Sequence, residues 1–269
     1  HINFNQDMSD DIHWGGSKKF YKKLLTAEQQ EQLTKVFVSA FIELTLAGKK
    51  EYQDILRNPL GSEFGLPEDI YVSRFSTSAF RSIESFESLR PENKNFQIWV
   101  VSPKKLPPFS IEKERLRGGV DTPNNVLKLK LEEQVETTLQ FELSPFDVLS
   151  DGIQHLTFSI AILASEEHEA CRPYNLASDI KIEILNKSGY MISKEVKSKG
   201  SIAPLLTSDY SELESGDVRF APTEPTLQTV VFPLELLAEI KEEDSLVLNI
   251  TFKPTHNISV ILDDIGIIH

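Results

Sequence analysis

Asp179-Ile180-Lys181-Ile182-Glu183-Ile184-Leu185, closed by Asn186-Lys187-Ser188-Gly189, decides the fold class of this chain. Ile180, Ile182 and Ile184 fall on one side of an extended strand, Lys181 and Glu183 on the other. A side-chain period of two is the mark of a strand that buries one sheet face. The Asn-Lys-Ser-Gly stretch reads as a hairpin loop into a further strand.

The same texture extends outward in both directions. Strands are expected at 96–101, 126–131, 135–143, 155–163, 179–185, 190–196, 227–232, 246–252 and 258–268. Short strands with polar connections and almost no helix point to a mainly β domain, an antiparallel two-sheet sandwich of jelly-roll type. The loop from Lys197 to Thr226 holds Pro204, Pro222 and Pro225 and is its least regular part.

Upstream the period changes. A helix is expected from Thr26 to Ala47, started by the capping box Thr26-Ala27-Glu28-Gln29 and stopped by Gly48. Leu33, Val36, Phe37, Ala40, Phe41, Leu44 and Ala47 recur at three- and four-residue steps and form an apolar stripe that needs a partner surface. A shorter helix is expected from Lys50 to Arg57. Leu60 to Arg90, rich in Ser, Glu and Phe, reads as a linker wrapped on a surface. The expected organisation is a helical segment over 1–58, a linker over 59–94 and the β-sandwich over 95–269.

Composition narrows the function. The chain has 269 residues, 40% of them hydrophobic, and a formal net charge of −13. A phosphate-binding surface needs clustered Lys and Arg, so a nucleic-acid partner is not expected. Lys18-Lys19 and Lys22-Lys23 lie near Asp10 and Asp11 and read as a solvated helix approach. No apolar run reaches the roughly 18 residues of a membrane span. Cys171 is the only cysteine, in a polar stretch without a nucleophile signature. The compartment stays open, secretion included.

The sequence contains no G-x-S-x-G elbow, no Walker loop and no H-E-x-x-H. Asp7, Asp10, Asp11 and His13 read as a solvated acidic loop. Asp263 and Asp264 are the metal candidates. In a regular strand they point to opposite faces, and an inward carboxylate needs a partner, either a structural Ca²⁺ or a hydrogen-bonded turn. Sugar binding by a sandwich calls for an aromatic platform. Tyr174 and Tyr210, in loops, are the candidates for it, while Trp99, within Phe96-Gln97-Ile98-Trp99-Val100, reads as core.

Two stretches carry a family resemblance. The first combines His1, Phe4-Asn5, Asp10-Asp11, Leu25-Thr26-Ala27-Glu28-Gln29, Phe37 with Phe41, Leu46-Ala47-Gly48 and Tyr52. It resembles the end of a bacterial α/β-hydrolase of the serine esterase or lipase type, from the catalytic-histidine loop onward. The second runs through Asp179–Leu185, Leu227–Leu234 and Leu262-Asp263-Asp264-Ile265. It resembles the sandwich attached to such hydrolases and is similar to carbohydrate-module jelly rolls. The resemblance implies that His1 is the triad base, with nucleophile and acid supplied by an upstream domain or chain. It also implies that this chain alone is inactive toward esters. The sandwich is then a structural companion, with few rings for sugar stacking. The alternative is a non-catalytic carbohydrate-binding or protein-interaction module. No cofactor is expected for catalysis, and a structural calcium at Asp263-Asp264 stands as the alternative to a hydrogen-bonded turn.

Overall fold

The computed structural model describes residues 25–57, 66–67, 71, 73–87, 96–100, 107–115, 121–143, 154–163, 180–186, 188–189, 191, 196–197, 206–207, 223–234, 245–255 and 257–268. The chain divides into two compact units, 1–73 with 207–223, and 74–206 with 224–269. The division falls inside the stretch expected to be linker.

In the first unit, α1 runs Ala27–Thr45 from the expected capping box. The Gln29 N–H donates to Thr26 Oγ1 at 3.2 Å, and the Thr26 N–H donates to Gln29 Oε1 at 2.9 Å. Gly48 takes φ +67° and ends the helix, because a left-handed residue cannot continue it. A 3₁₀ turn, Lys50–Tyr52, leads into α2, Gln53–Arg57. Ala40 and Ile55 are buried. The Phe37 and Tyr71 rings meet at 6.3 Å, and the Ser73 hydroxyl donates to the Leu56 carbonyl.

The apolar stripe of α1 is narrower than its sequence suggests. Ala40 is buried and Leu33, Val36, Phe37 and Leu44 are half-buried, but Phe41 is 58% exposed and Ala47 is exposed. The line through Leu33, Phe37, Ala40 and Leu44 is the one turned inward. At about 100° per residue, Phe41 lies roughly a quarter turn off that line. Val38, Ile42 and Leu46 are exposed further round.

The strands are β1 Arg81–Glu84, β2 Phe96–Val100, β3 Phe109–Arg115, β4 Asp121–Leu131, β5 Thr137–Leu143, β6 Gln154–Leu163, β7 Ile180–Asn186, β8 Val196–Lys197, β9 Leu206–Thr207, β10 Thr223–Glu224, β11 Gln228–Leu234, β12 Leu246–Phe252 and β13 Ile258–Ile268. β9 and β10 pair with each other at the boundary between the units, and the others build the second unit with antiparallel pairings. One sheet has the order β11-β6-β13-β4-β3, with β1 also on β13; the second is five-stranded, β2-β5-β12-β7-β8. A single buried cluster takes the inward residues of both sheets, among them Leu127, Phe158, Phe232 and Leu262 from the first and Phe141, Ile182, Leu248 and Ile250 from the second. That shared core makes the pair a sandwich. The Phe158 and Phe232 rings stack at 5.5 Å.

Four strands were not expected, the two-residue β9 and β10 inside the 197–226 loop and the longer β1 and β3. In β3 the alternation is broken by Lys113, and Pro107-Pro108 precede it. In β1 only Ile83 is apolar. Both are edge additions to a sheet whose central strands carry the pattern. β1 lies in the stretch read as linker, and Phe86 just after it is buried in the sandwich core. Of the strand expected at 190–196, the described part is a bridge between Met191 and Leu185, with Val196–Lys197 on β7.

Candidate functional site

The register of the five-stranded sheet builds its outer face. Rows of β5, β12 and β7 alternate strictly, and Leu139, Ile250 and Ile182 share an inward row. On one side of it lies the row Thr138, Thr251 and Lys181, and on the other the row Gln140, Asn249 and Glu183, followed by the inward Phe141, Leu248 and Ile184. These six outward side chains are all half-buried. The two threonine hydroxyls share a hydrogen bond of 2.8 Å, the Gln140 amide donates to Asn249 Oδ1 at 3.2 Å, and Lys181 Nζ meets Glu183 Oε1 at 3.0 Å. Thr138, Thr251, Gln140 and Asn249 keep spare hydrogen-bonding capacity after these contacts.

Strand β2 extends both rows. Gln97 pairs with Gln140 and Trp99 with Thr138, while Ile98 pairs with Leu139. Trp99 thus shares the register row of Thr138, Thr251 and Lys181.

Asp263 and Asp264 form a second polar cluster. Between Asp263 and Gly266, β13 carries one more residue than its partner β6, a β-bulge, and Asp264 sits at φ +51°. The bulge corrects the expectation of opposite-facing carboxylates. Leu262 and Ile265 both point into the core, and both Asp carboxylates meet one arginine. Arg74 Nη2 lies 2.8 Å from Asp264 Oδ2 and 3.6 Å from Asp263 Oδ2. The Asp264 N–H donates to Asp263 Oδ1 at 2.9 Å. Asp263 is only 2% exposed. Burial pushes its carboxyl up to about 7, helped by the charges of Asp264 and Glu87 and opposed by the Asp264 N–H and Arg74.

This cluster does not fit a calcium ion. Ca²⁺ takes about six to eight oxygen ligands, whereas here a guanidinium already bridges the two carboxylates. Among the described residues no group of three or more His, Cys, Asp or Glu side chains is arranged to hold a metal. No described helix is long and apolar enough to cross a membrane.

The remaining sequence candidates, His1, Tyr174 and Tyr210, lie outside the described residues, as do Asp7, Asp10, Asp11, His13 and Cys171. The leading residues of the hydrolase resemblance lie there too, while Leu25–Gln29, Phe37, Phe41 and Leu46–Gly48 belong to α1 and its ends and Tyr52 to the turn after it.

No family model and no curated protein matches this sequence. Among solved structures, the chain is similar to the family 11 carbohydrate-binding module of the cellulosomal cellulase Lic26A-Cel5E of Clostridium thermocellum, at 11% identity and TM-score 0.38 over 72% of this chain and 96% of that one. It is similar to a mannan-recognising module, TmCBM27, at 14% identity and TM-score 0.36 over 71% and 97%. It is equally similar to the Stig cyclase Fisc from Fischerella, at 12% identity and TM-score 0.38 over 70% and 96%.

Proposed function

We propose that the sandwich unit is a carbohydrate-binding module that takes an oligosaccharide on the outer face of its five-stranded sheet. One observation carries this reading. Hydroxyl and amide side chains, Thr138, Thr251, Gln140 and Asn249, stand in two adjacent rows, half-buried and fixed by cross-strand bonds.

The chemistry suits a polyol. Sugar hydroxyls donate and accept at once, as hydroxyl and amide groups do. Each hydrogen bond returns only about 0.5–1.5 kcal/mol net, so several must act together. Half-burial and mutual bonding hold the groups in place before the ligand arrives, which lowers the ordering cost. A ring adds the apolar stacking term that hydrogen bonds lack, and Trp99 stands at the β2 end of the threonine row. Such a face also serves as an ordinary solvated sheet surface, where cross-strand pairs contribute stability alone.

The test is a glycan array followed by calorimetric titration with the best-bound oligosaccharide. Binding is expected, with Trp99→Ala weakening it at least about tenfold, roughly 1.4 kcal/mol, and Gln140→Ala weakening it less. No binding across neutral and acidic glycans, or binding indifferent to both substitutions, overturns the proposal.

A further inference from the structure

The outer face of the five-stranded sheet continues past its polar rows. One step along the strands from Gln140, Asn249 and Glu183 lies a third outward row. Glu142 stands opposite Val247, and Val247 opposite Leu185. Leu185 in turn bridges Met191 on the other side of β7.

Alternation sets the facing of this row. Its chain neighbours Leu143, Leu246, Leu248 and Ile184 all belong to the core cluster, so the row itself points away from the core. Residues opposite each other in an antiparallel pair share a face, which puts Met191 on the side of Leu185. Exposure agrees: Leu185 and Val247 are half-buried, and Met191 is 41% exposed.

The character of the face changes here. Asn249 and Val247 are two residues apart on β12, and Glu183 and Leu185 two apart on β7, a separation of about 7 Å. On one side stand hydroxyl and amide groups tied to one another. On the other, three apolar side chains run side by side, closed at the β5 end by the exposed Glu142. Single apolar residues on a surface need no account. Cross-strand packing of Leu185 on Val247 is ordinary sheet stabilisation, but it does not cover Met191. An apolar strip beside fixed hydrogen-bonding groups matches a ligand divided in the same way. A pyranose is so divided, with hydroxyls on its rim and C–H groups on its faces.

We infer that Leu185, Val247 and Met191 form an apolar floor to the sugar-binding face, on which the C–H face of a pyranose ring rests while its rim hydroxyls reach the Gln140 and Asn249 amides. The inference rests on the carbohydrate reading above and adds the contact that hydrogen bonds lack. Water already satisfies both the sugar hydroxyls and the amides, so exchanging those bonds returns little. Covering the aliphatic strip removes apolar area from water on both partners, and that gain scales with the area covered.

The experiment is calorimetric titration of the full chain, at several temperatures, with neutral tetrasaccharides of glucose, xylose, mannose and galactose. Binding of at least one is expected, with a negative heat-capacity change from the buried apolar surface. Val247→Thr and Met191→Gln nearly keep the side-chain shapes and are expected to leave the urea midpoint unchanged. Each should weaken binding about fourfold, the loss of roughly one buried methyl contact, and make the heat-capacity change less negative. Gln140→Ala should weaken binding and leave the heat-capacity change as in the wild type. Binding that responds to Gln140→Ala but not to Val247→Thr or Met191→Gln overturns the apolar floor and leaves the polar rows standing. A heat-capacity change unaltered in both aliphatic variants does the same. Absence of binding to all four sugars overturns the carbohydrate reading and the floor with it.

Discussion

Single residues in this chain take their meaning from partners far along the sequence. Asp263-Asp264 is conspicuous as a pair of carboxylates, yet the group that answers it, Arg74, lies 190 positions away from Asp264. Local pattern cannot supply that pairing, and it cannot announce the bulge that turns two neighbouring carboxylates toward one cation. Ile182 is the opposite case, because the parity of Ile180 to Ile184 already separates the inward residues from Lys181 and Glu183. Gly266 follows the bulge and carries its own constraint. A Cβ there would overlap the Arg81 carbonyl of β1 and the Phe80 ring. The ring can turn, but the carbonyl belongs to a paired strand. Gly266→Ala is therefore expected to destabilise the sandwich by about 1–3 kcal/mol through overpacking, measured as a lower urea midpoint with an unchanged slope. An unchanged midpoint would mean that β1 is free to move away.

At the scale of elements, the patterned strands were legible, the edge strands β2 and β11 among them, and the weakly patterned edges β1 and β3 were not. β5, β7, β12 and β13 alternate or run apolar because both neighbours in the sheet and the facing sheet act on them, and the sequence records that pressure. β1 and β3 are held by the backbone of a stronger neighbour and need little pattern of their own. The first helix was legible at its ends, since a capping box and a C-terminal glycine are local devices. Its packing was not, because an apolar stripe says that a face can be buried and not how wide the contact is. Phe41 is the residue where this matters. A fully buried phenylalanine would cost about 3–5 kcal/mol on truncation to alanine. With the ring more than half exposed, Phe41→Ala is expected to cost under about 1 kcal/mol, read from chemical denaturation followed at the α1 amides. Phe37, whose ring meets Tyr71, should cost more. A loss of several kcal/mol at Phe41 would require a covering surface over that flank.

The whole molecule carries two units built on unequal interiors. The sandwich closes one continuous core between two sheets, with Phe141, Phe158, Phe232 and Phe252 fully enclosed. The described helical unit buries Ala40 and Ile55 as its apolar side chains, together with Arg57, and leaves Val38, Phe41, Ile42 and Leu46 exposed. Helix propensity does not make up the difference, since an isolated helix shorter than about 12–15 residues is marginal in water and longer ones gain most of their stability from packing. α2 is well below that length. Stability in such a chain should be uneven, with the helical unit opening at a lower free energy than the sandwich. Hydrogen exchange read by mass spectrometry on the intact chain tests this without cutting it. Peptides covering 27–57 are expected to exchange at least about tenfold faster, relative to their intrinsic rates, than those covering 137–143 and 246–268, a gap of roughly 1.4 kcal/mol or more. Added urea should widen the separation into two exchange steps, the helical peptides first. Equal protection in both sets, lost together in one step, would show that the two units unfold as a single cooperative body and that the exposed face of α1 is stabilised by more than its described contacts.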